Sequence, residues 1–365
     1  MNIMLLAAEF PPRMRGGMAN YSYNIAKRLA ANNNVKVMSL PEYSAGKNYA
    51  LNLRFICDAA RELRRARKKR KKVIVYAISF RPEFSLIGFY AKKLGIPLVF
   101  NGVGLDMYTT HPAFVFARRI ACKISNQIIC GASFQKGILI KNGAIPTKIH
   151  TILGGVDTER FEPSLGDRDK LRRLFGIENK FVLLSLGRLV KRKGFDDAIK
   201  ALAHLKDIED IILLIVGDGQ EKASLKKLAR NLSVEEKVKF LGFVSSDILP
   251  KIYNAAELFV APFKIIGRDM EGFPLVAQEA QACGVPVIST NTAGVPELIE
   301  NDKTGFLVHM NSPKEIAEKI RTLYEDGRLR KELASNARRR AEELLDWEVV
   351  VTKIEDVLRA ALRQT

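Results

Sequence analysis

GGVDTERFEPSLGD, residues 154–167, decides how this chain of 365 residues is read. The stretch is rich in Gly, Pro and Asp, which favour turns over the interiors of helices and strands. The segments on either side of it share one rhythm. Ahead of it, short apolar runs (NIMLLAA, VKVMSL, KVIVYAI, PLVFN, QIICG and HTIL) alternate with helix-like segments at 20–31, 84–94, 113–124 and 133–141. Behind it the pattern restarts with FVLLSLG, DIILLIVGDG, KVKFLGF, LFVAP, PVIST and FLVHM, and the tail from about 313 reads as helix. Such alternation predicts parallel sheets covered on both faces. The expected fold class is therefore α/β, with two Rossmann-like doubly wound domains, 1–163 and 164–345. Open sheets of this kind bind ligands outside the carboxyl ends of their strands, and two facing domains would leave a cleft there.

Bulk composition fits this reading. Hydrophobic content of 47% and a charged fraction of 27% suit a soluble globular chain too long for one core. No apolar run approaches the roughly 20 residues of a membrane span. The opening MNIMLLAAEFPP has no basic region ahead of a short apolar stretch, so it reads as a buried first strand rather than a signal peptide. Cys57, Cys122, Cys130 and Cys283 lack metal-ligand spacing and are expected as reduced core residues of a cytoplasmic protein. The net charge of +19 is lopsided: residues 1–165 hold 26 basic against 9 acidic residues, and 166–365 hold 33 against 31. The first half should therefore meet an anionic partner.

Four motifs fall at strand-to-helix junctions. Gly16 and Gly17 follow the first strand, where backbone N–H groups and a helix N-terminus can approach an anion; a plain turn explains them equally well. GRLVKRKG (187–194) ends the next domain's first strand, with Arg188 and Lys193 as candidate phosphate ligands beside Gly187. GDGQEK (217–222) supplies Gly217 but places Lys222 where a dinucleotide fingerprint needs its third glycine, so NAD is not expected. EGFPLVAQEA (271–280) puts Pro274 in the first turn of a helix, whose N–H groups near Leu275 and Val276 could hold a phosphate. Glu271 and Glu279 bracket that point, and carboxylates accept hydrogen bonds from sugar hydroxyls. The helix dipole accounts for an acid at Glu271 but fades before Glu279.

Taken together these stretches resemble the retaining glycosyltransferases of family 4, which have the GT-B fold. PPRMRGGMANYS, ILGGVDTERFEP, GRLVKRKG, FLGFVSSDILPKIYNAAELFVAP, EGFPLVAQEAQACGVPVIST and NTAGVPELIENDKTGFLV all look like blocks of that family, and the resemblance spans nearly the full length. It implies transfer of a sugar from a UDP- or GDP-linked donor to a lipid-linked or glycan acceptor. Arg188 and Lys193 would hold the diphosphate without a metal, Glu279 the ribose, and Glu271 the donor sugar with the backbone of Gly272 and Phe273. Gly17 would approach the diphosphate from the first domain. The last helix, about 346–365, would cross back to that domain. One departure stands out. In NGVGLDMY, Val103 occupies the place of a family histidine, and among Asn101, Asp106 and His111 the preferred substitute is Asp106. Asp167 and Asp169 spell a metal-binding Asp-x-Asp, but their place ahead of a helix predicts a cap. Neither metal nor cofactor is expected.

Residues 54–72, RFICDAARELRRARKKRKK, carry Phe55, Ile56, Ala59 and Leu63 on one helical face and little but cations elsewhere. Arg61, Arg64, Arg65, Lys68 and Lys69 are candidates for an acceptor or anionic membrane surface, which places the protein at the cytoplasmic face of a membrane. A solvated helix end is the plainer reading. Two other functions compete: a sugar-nucleotide epimerase of the same fold, and a nucleic-acid-binding protein. The absence of aromatic residues between Arg61 and Lys72 counts against nucleic acid.

Overall fold

The computed structural model describes residues 1–12, 16–40, 51–102, 104–267 and 269–364. The chain divides into two compact units, Met1–Gly154 with Trp347–Thr365, and Gly155–Asp346.

In the first unit, β1 (Asn2–Ala7), β2 (Asn34–Ser39), β3 (Val73–Ile78), β4 (Leu98–Gly102), β5 (Gln127–Cys130) and β6 (Ile149–Thr151) form one sheet in the order β2-β1-β3-β4-β5-β6. The pairings are parallel, with Leu5 opposite both Val37 and Tyr76. The inner strands are buried on both faces, so they are continuous apolar runs rather than alternating ones. Successive side chains still part company, as the pleat requires. Leu6, Val75 and Phe100 pack under α2 (Leu53–Lys68), α3 (Pro82–Lys93), α4 (Pro112–Ile124) and α5 (Phe134–Lys141). Leu5, Tyr76 and Val99 pack on the opposite face under α1 (Gly17–Asn32). Pro82 and Pro112 open α3 and α4, where a missing N–H costs nothing.

The second unit repeats the plan. Strands β7 (Phe181–Leu186), β8 (Ile211–Val216), β9 (Val238–Gly242), β10 (Leu258–Ala261), β11 (Val287–Thr290) and β12 (Gly305–Val308) run parallel in the order β12-β11-β10-β7-β8-β9. Its helices are α6 (Leu165–Phe175), α7 (Phe195–Leu202), α8 (Lys222–Asn231), α9 (Leu249–Asn254), α10 (Leu275–Ala282), α11 (Val295–Leu298), α12 (Pro313–Glu325) and α13 (Gly327–Arg340). The chain then returns: α14 (Trp347–Leu362) lays Trp347, Val350, Ile354 and Leu358 onto the α1 face of the first sheet. Trp347 meets Tyr21 edge-on at 5.6 Å between ring centres.

Three local expectations change. The units part between Gly154 and Gly155, ahead of the 163/164 division, because the link is fastened into the second unit. The N–H of Val156 donates to Leu345 at 2.7 Å, and the Arg338 guanidinium donates to the carbonyls of Thr158 (3.0 Å), Phe161 (2.8 Å) and Ala282 (2.7 Å). Asp167 does not cap α6. Ser164 does, accepting from the N–H of Asp167 at 3.4 Å, which leaves Asp167 in the first turn. Cys57 is exposed on α2, whereas Cys122, Cys130 and Cys283 are buried. The helical spacing that buries Phe55, Ala59 and Leu63 turns position 57 outward.

Candidate active site

In the second unit, loops leaving β7, β8 and β10 press together at the carboxyl end of the sheet. Glycine makes that contact possible at two places. Gly217 (φ +127°) lies so close that an added Cβ would sit 1.9 Å from the Gly187 carbonyl oxygen. Gly194 (φ +70°) would place a Cβ 1.8 Å from the carbonyl oxygen of Pro262. Both also adopt a backbone conformation that other residues reach only with strain. Gly194→Ala should therefore destabilise the second unit by roughly 3 kcal/mol or more. Thermal unfolding that matches wild type would show that the loops part without cost.

The close approach of Gly187 lets the Lys193 stem lie across it, 3.3 Å from where a Cβ would stand. A 3-10 turn over 191–193 sends the neighbouring basic side chains different ways: Lys191 is exposed, while Arg192 and Lys193 are half-buried. Lys193 Nζ lies 3.0 Å from Glu271 Oε1 and 5.0 Å from the centre of the Phe263 ring. Arg192 Nε reaches the same Glu271 oxygen at 2.7 Å, and its Nη1 meets Asp269 at 3.2 Å. Burial pushes the Glu271 carboxyl upward, but Lys193 and Arg192 outweigh it and hold the group below the usual carboxylate range. Behind this turn, the N–H of Lys264 donates to the Arg192 carbonyl at 2.7 Å, and Lys264 Nζ bridges Asp196 (2.7 Å) and Asp197 (2.9 Å) in the first turn of α7.

The acidic loop leads into α10. Pro274 proves to be the residue before the helix, extended at ψ 111°, and the helix opens at Leu275. The N–H groups of Leu275 and Val276 thus lead the helix, where no preceding turn supplies them carbonyls. Gly272 and Phe273 form the half-buried approach. Glu279, one turn along α10, accepts a hydrogen bond from the Tyr253 hydroxyl at 2.8 Å. Burial pushes its carboxyl up to about 7, against smaller downward pulls from Tyr253, Arg160 and Lys193. One acid is thus held ionised beside cations, and the other is poised near neutrality one turn deeper.

The structure brings Gly187, Lys193, Gly217 and Glu271 together and sets Glu279 behind them. Arg188 is exposed and has no ion pair or hydrogen bond through its side chain among the described residues. Arg192, Asp269 and Tyr253 were not singled out by the sequence. A run of three basic residues does not reveal which of them faces inward, and Tyr253 lies on another helix.

The first unit holds the remaining candidates. Gly16 (φ +143°) precedes α1, and Gly17 is the helix's first residue. Asp106 is buried, and its carboxylate is occupied: the N–H of Phe80 donates to Oδ2 at 2.5 Å. Burial raises its pKa, partly offset by Phe80 and Ser79. That carboxylate secures the turn after β3. Asn101 donates to the hydroxyls of Tyr76 (2.6 Å) and Tyr21 (3.0 Å) inside the core, and His111 sits exposed before α4. Val103 lies outside the described residues. On α2, Arg61 pairs with Asp58 (2.7 Å), Arg65 with Glu62 (2.9 Å), and Arg64 stacks over Tyr90, whereas Lys68 and Lys69 extend into solvent. No helix among the described residues is long and apolar enough to cross a membrane.

Two family models match the chain. Glycosyl transferases group 1 covers residues 167–340, and Glycosyltransferase Family 4 covers residues 15–160. Among curated relatives, the GDP-mannose-dependent alpha-(1-6)-phosphatidylinositol monomannoside mannosyltransferase of Mycobacterium tuberculosis is 34% identical over 208 residues, 56% of this chain and 54% of the relative. The chain thus spans about half the length of that relative. D-inositol 3-phosphate glycosyltransferase 1 of Catenulispora acidiphila is 31% identical over 74% of this chain and 68% of its own. Among solved structures, Anabaena Alr3699/HepE in complex with UDP superposes with a TM-score of 0.81 at 24% identity, over 99% of this chain and 100% of that one. The likeness is one of fold: two parallel six-stranded sheets of the GT-B class.

Proposed function

The chain belongs to the family 4 glycosyltransferases, and from that premise we propose that it moves a sugar from a nucleoside-diphosphate sugar, UDP- or GDP-linked, to a lipid-linked or glycan acceptor with retention of configuration. The observation that carries the proposal is the Lys193–Glu271 pair standing at 3.0 Å over the glycine-packed loops at the head of α10. The site has a place for each part of such a donor. Lys193 and the exposed Arg188 supply positive charge to a diphosphate, with the N–H groups of Leu275 and Val276 beside them. As the sugar–phosphate bond breaks, charge grows on the departing diphosphate, and cations already in position lower that barrier without rearranging.

Glu271 takes hydroxyls of the donor sugar, assisted by the backbone of Gly272 and Phe273. Glu279 takes the ribose, and Gly187 and Gly217 keep the backbone low beneath the ligand. The glycine turn at Gly16 and Gly17 is assigned, within the first unit, to an anion approached by the backbone N–H groups that open α1. We leave Asp106 out of the chemistry, since its carboxylate is engaged by Phe80. Arg61, Arg64, Arg65, Lys68 and Lys69 are assigned to an anionic surface at the cytoplasmic face of a membrane, where a lipid-linked acceptor would be met.

Thermal unfolding against UDP, GDP, ADP, their sugar conjugates and a short oligonucleotide, without metal, tests the donor assignment. A bound nucleotide at 100 times its dissociation constant should add about 2.7 kcal/mol. A response to one nucleoside diphosphate names the base. Indifference to every nucleotide, with a response to the oligonucleotide, would overturn the assignment.

A further inference from the structure

The helices α2, α3 and α4 form one layer on one face of the first sheet, and each returns antiparallel to the strands it connects. Their N-terminal ends therefore lie side by side at the carboxyl edge of the sheet. Along the outward ridges of α3 and α4 the apolar residues precede the cations. Leu86 (43% exposed) and Phe116 (66%) stand in the first halves of α3 and α4, Phe89 (46%) lies past the middle of α3 with Lys93 Nζ 4.9 Å from its ring centre, and Leu53 (67%) heads α2 beside the exposed Arg54. Toward the C-terminal ends stand Arg64 and Lys68 on α2, Lys93 on α3, and Arg119 and Lys123 on α4, all exposed. The same spacing recurs on neighbouring helices: Leu86, Phe89 and Lys93 share one ridge, as do Phe116, Arg119 and Lys123.

Exposed aromatic side chains in company are uncommon on a protein that meets only water. Acids offset cations only on α2, where Asp58 pairs with Arg61 and Glu62 with Arg65. Helix α4 has none, and the single acid of α3, Glu83, is buried and paired with Arg81 at 3.3 Å. An apolar band with a cationic band behind it matches the depth profile of an anionic bilayer, acyl chains below and phosphates above.

We infer that this three-helix face docks on an anionic lipid bilayer, with Phe89, Phe116, Leu53 and Leu86 entering the acyl boundary and the cations at headgroup level. The carboxyl edge of the first sheet then points toward the membrane. The inference extends the membrane part of the proposed function beyond α2 and fixes an orientation. It does not depend on the donor site, so failure here would leave nucleotide binding standing.

Phe89→Trp and Phe116→Trp, made separately in the full chain, report insertion directly. The native Trp347 is buried and supplies a constant background. Each added indole should shift to the blue with vesicles of mixed phosphatidylcholine and phosphatidylglycerol, and stay unchanged with phosphatidylcholine alone. Phe243→Trp, at an exposed position in the second unit, should not respond. The double variant Phe89→Ser and Phe116→Ser should keep the wild-type melting temperature and partition onto the anionic vesicles about tenfold less, the loss expected for two partly inserted rings. Unchanged emission at both positions, an equal shift at position 243, or a dimer by sedimentation that covers the face without lipid would each overturn the inference.

Discussion

Glu279→Gln should make the protein more stable above neutral pH and a poorer nucleotide binder there; the binding difference should fade as pH falls below 7, and the stability difference only as pH nears 4.5. The carboxyl titrates near 7 in the folded chain, against an ordinary value of 4.5. Between those values the unfolded chain has released a proton that the folded chain keeps. Stability therefore falls as pH rises through this window, and is flat above it. Ionising the buried group costs about 3 kcal/mol if the whole shift counts. The partial exposure of Glu279 trims this, so a gain of about 1–3 kcal/mol at pH 8 is expected from the glutamine. Below pH 4.5 the two proteins should melt alike.

Ribose hydroxyls donate best to an ionised carboxylate. Wild-type affinity for the nucleoside diphosphate should therefore rise as pH passes 7, with a proton released on binding, and the glutamine variant should lose that dependence. Calorimetry in buffers of different ionisation enthalpy counts the proton. Equal affinity of mutant and wild type at pH 8 would remove Glu279 from the site.

Lys193→Met should cost on the order of 100- to 1,000-fold in turnover at saturating donor. The methionine keeps the stem that lies on Gly187 and removes only the charge. Glu271 retains Arg192 at 2.7 Å, so the acidic loop should hold its place and the melting temperature should change little. The loss should fall on turnover more than on affinity, since charge on the departing phosphate is greatest in the transition state. A rate within a factor of a few of wild type would move the clamp elsewhere, with Arg188 the next residue to replace.

The strands were legible because parallel sheets bury both faces, and runs such as IILLIV and VIVYAI suit strands covered on both sides. Glu271 and Lys193 were legible because glycines and a helix start fix the backbone around them. What escaped depends on contacts between distant segments. The carboxylate of Asp106 turns toward Phe80, 26 positions upstream, and no local pattern announces that. Glu279 takes its unusual acidity from burial beside Tyr253, at the same separation. Whether Lys191, Arg192 or Lys193 faces the acids is set by one 3-10 turn, which composition does not encode.

The placement of α14 makes the first unit the last to be finished. Its residues are translated after the whole second unit, yet Trp347, Val350, Ile354 and Leu358 cover the sheet face that also receives Ile25 and Leu29. On the ribosome the early strands must wait with that face bare while some 190 intervening residues emerge and fold as an insert. A message broken shortly before codon 347 would thus yield an intact second unit joined to an uncovered first one, a product marked for chaperones rather than for catalysis.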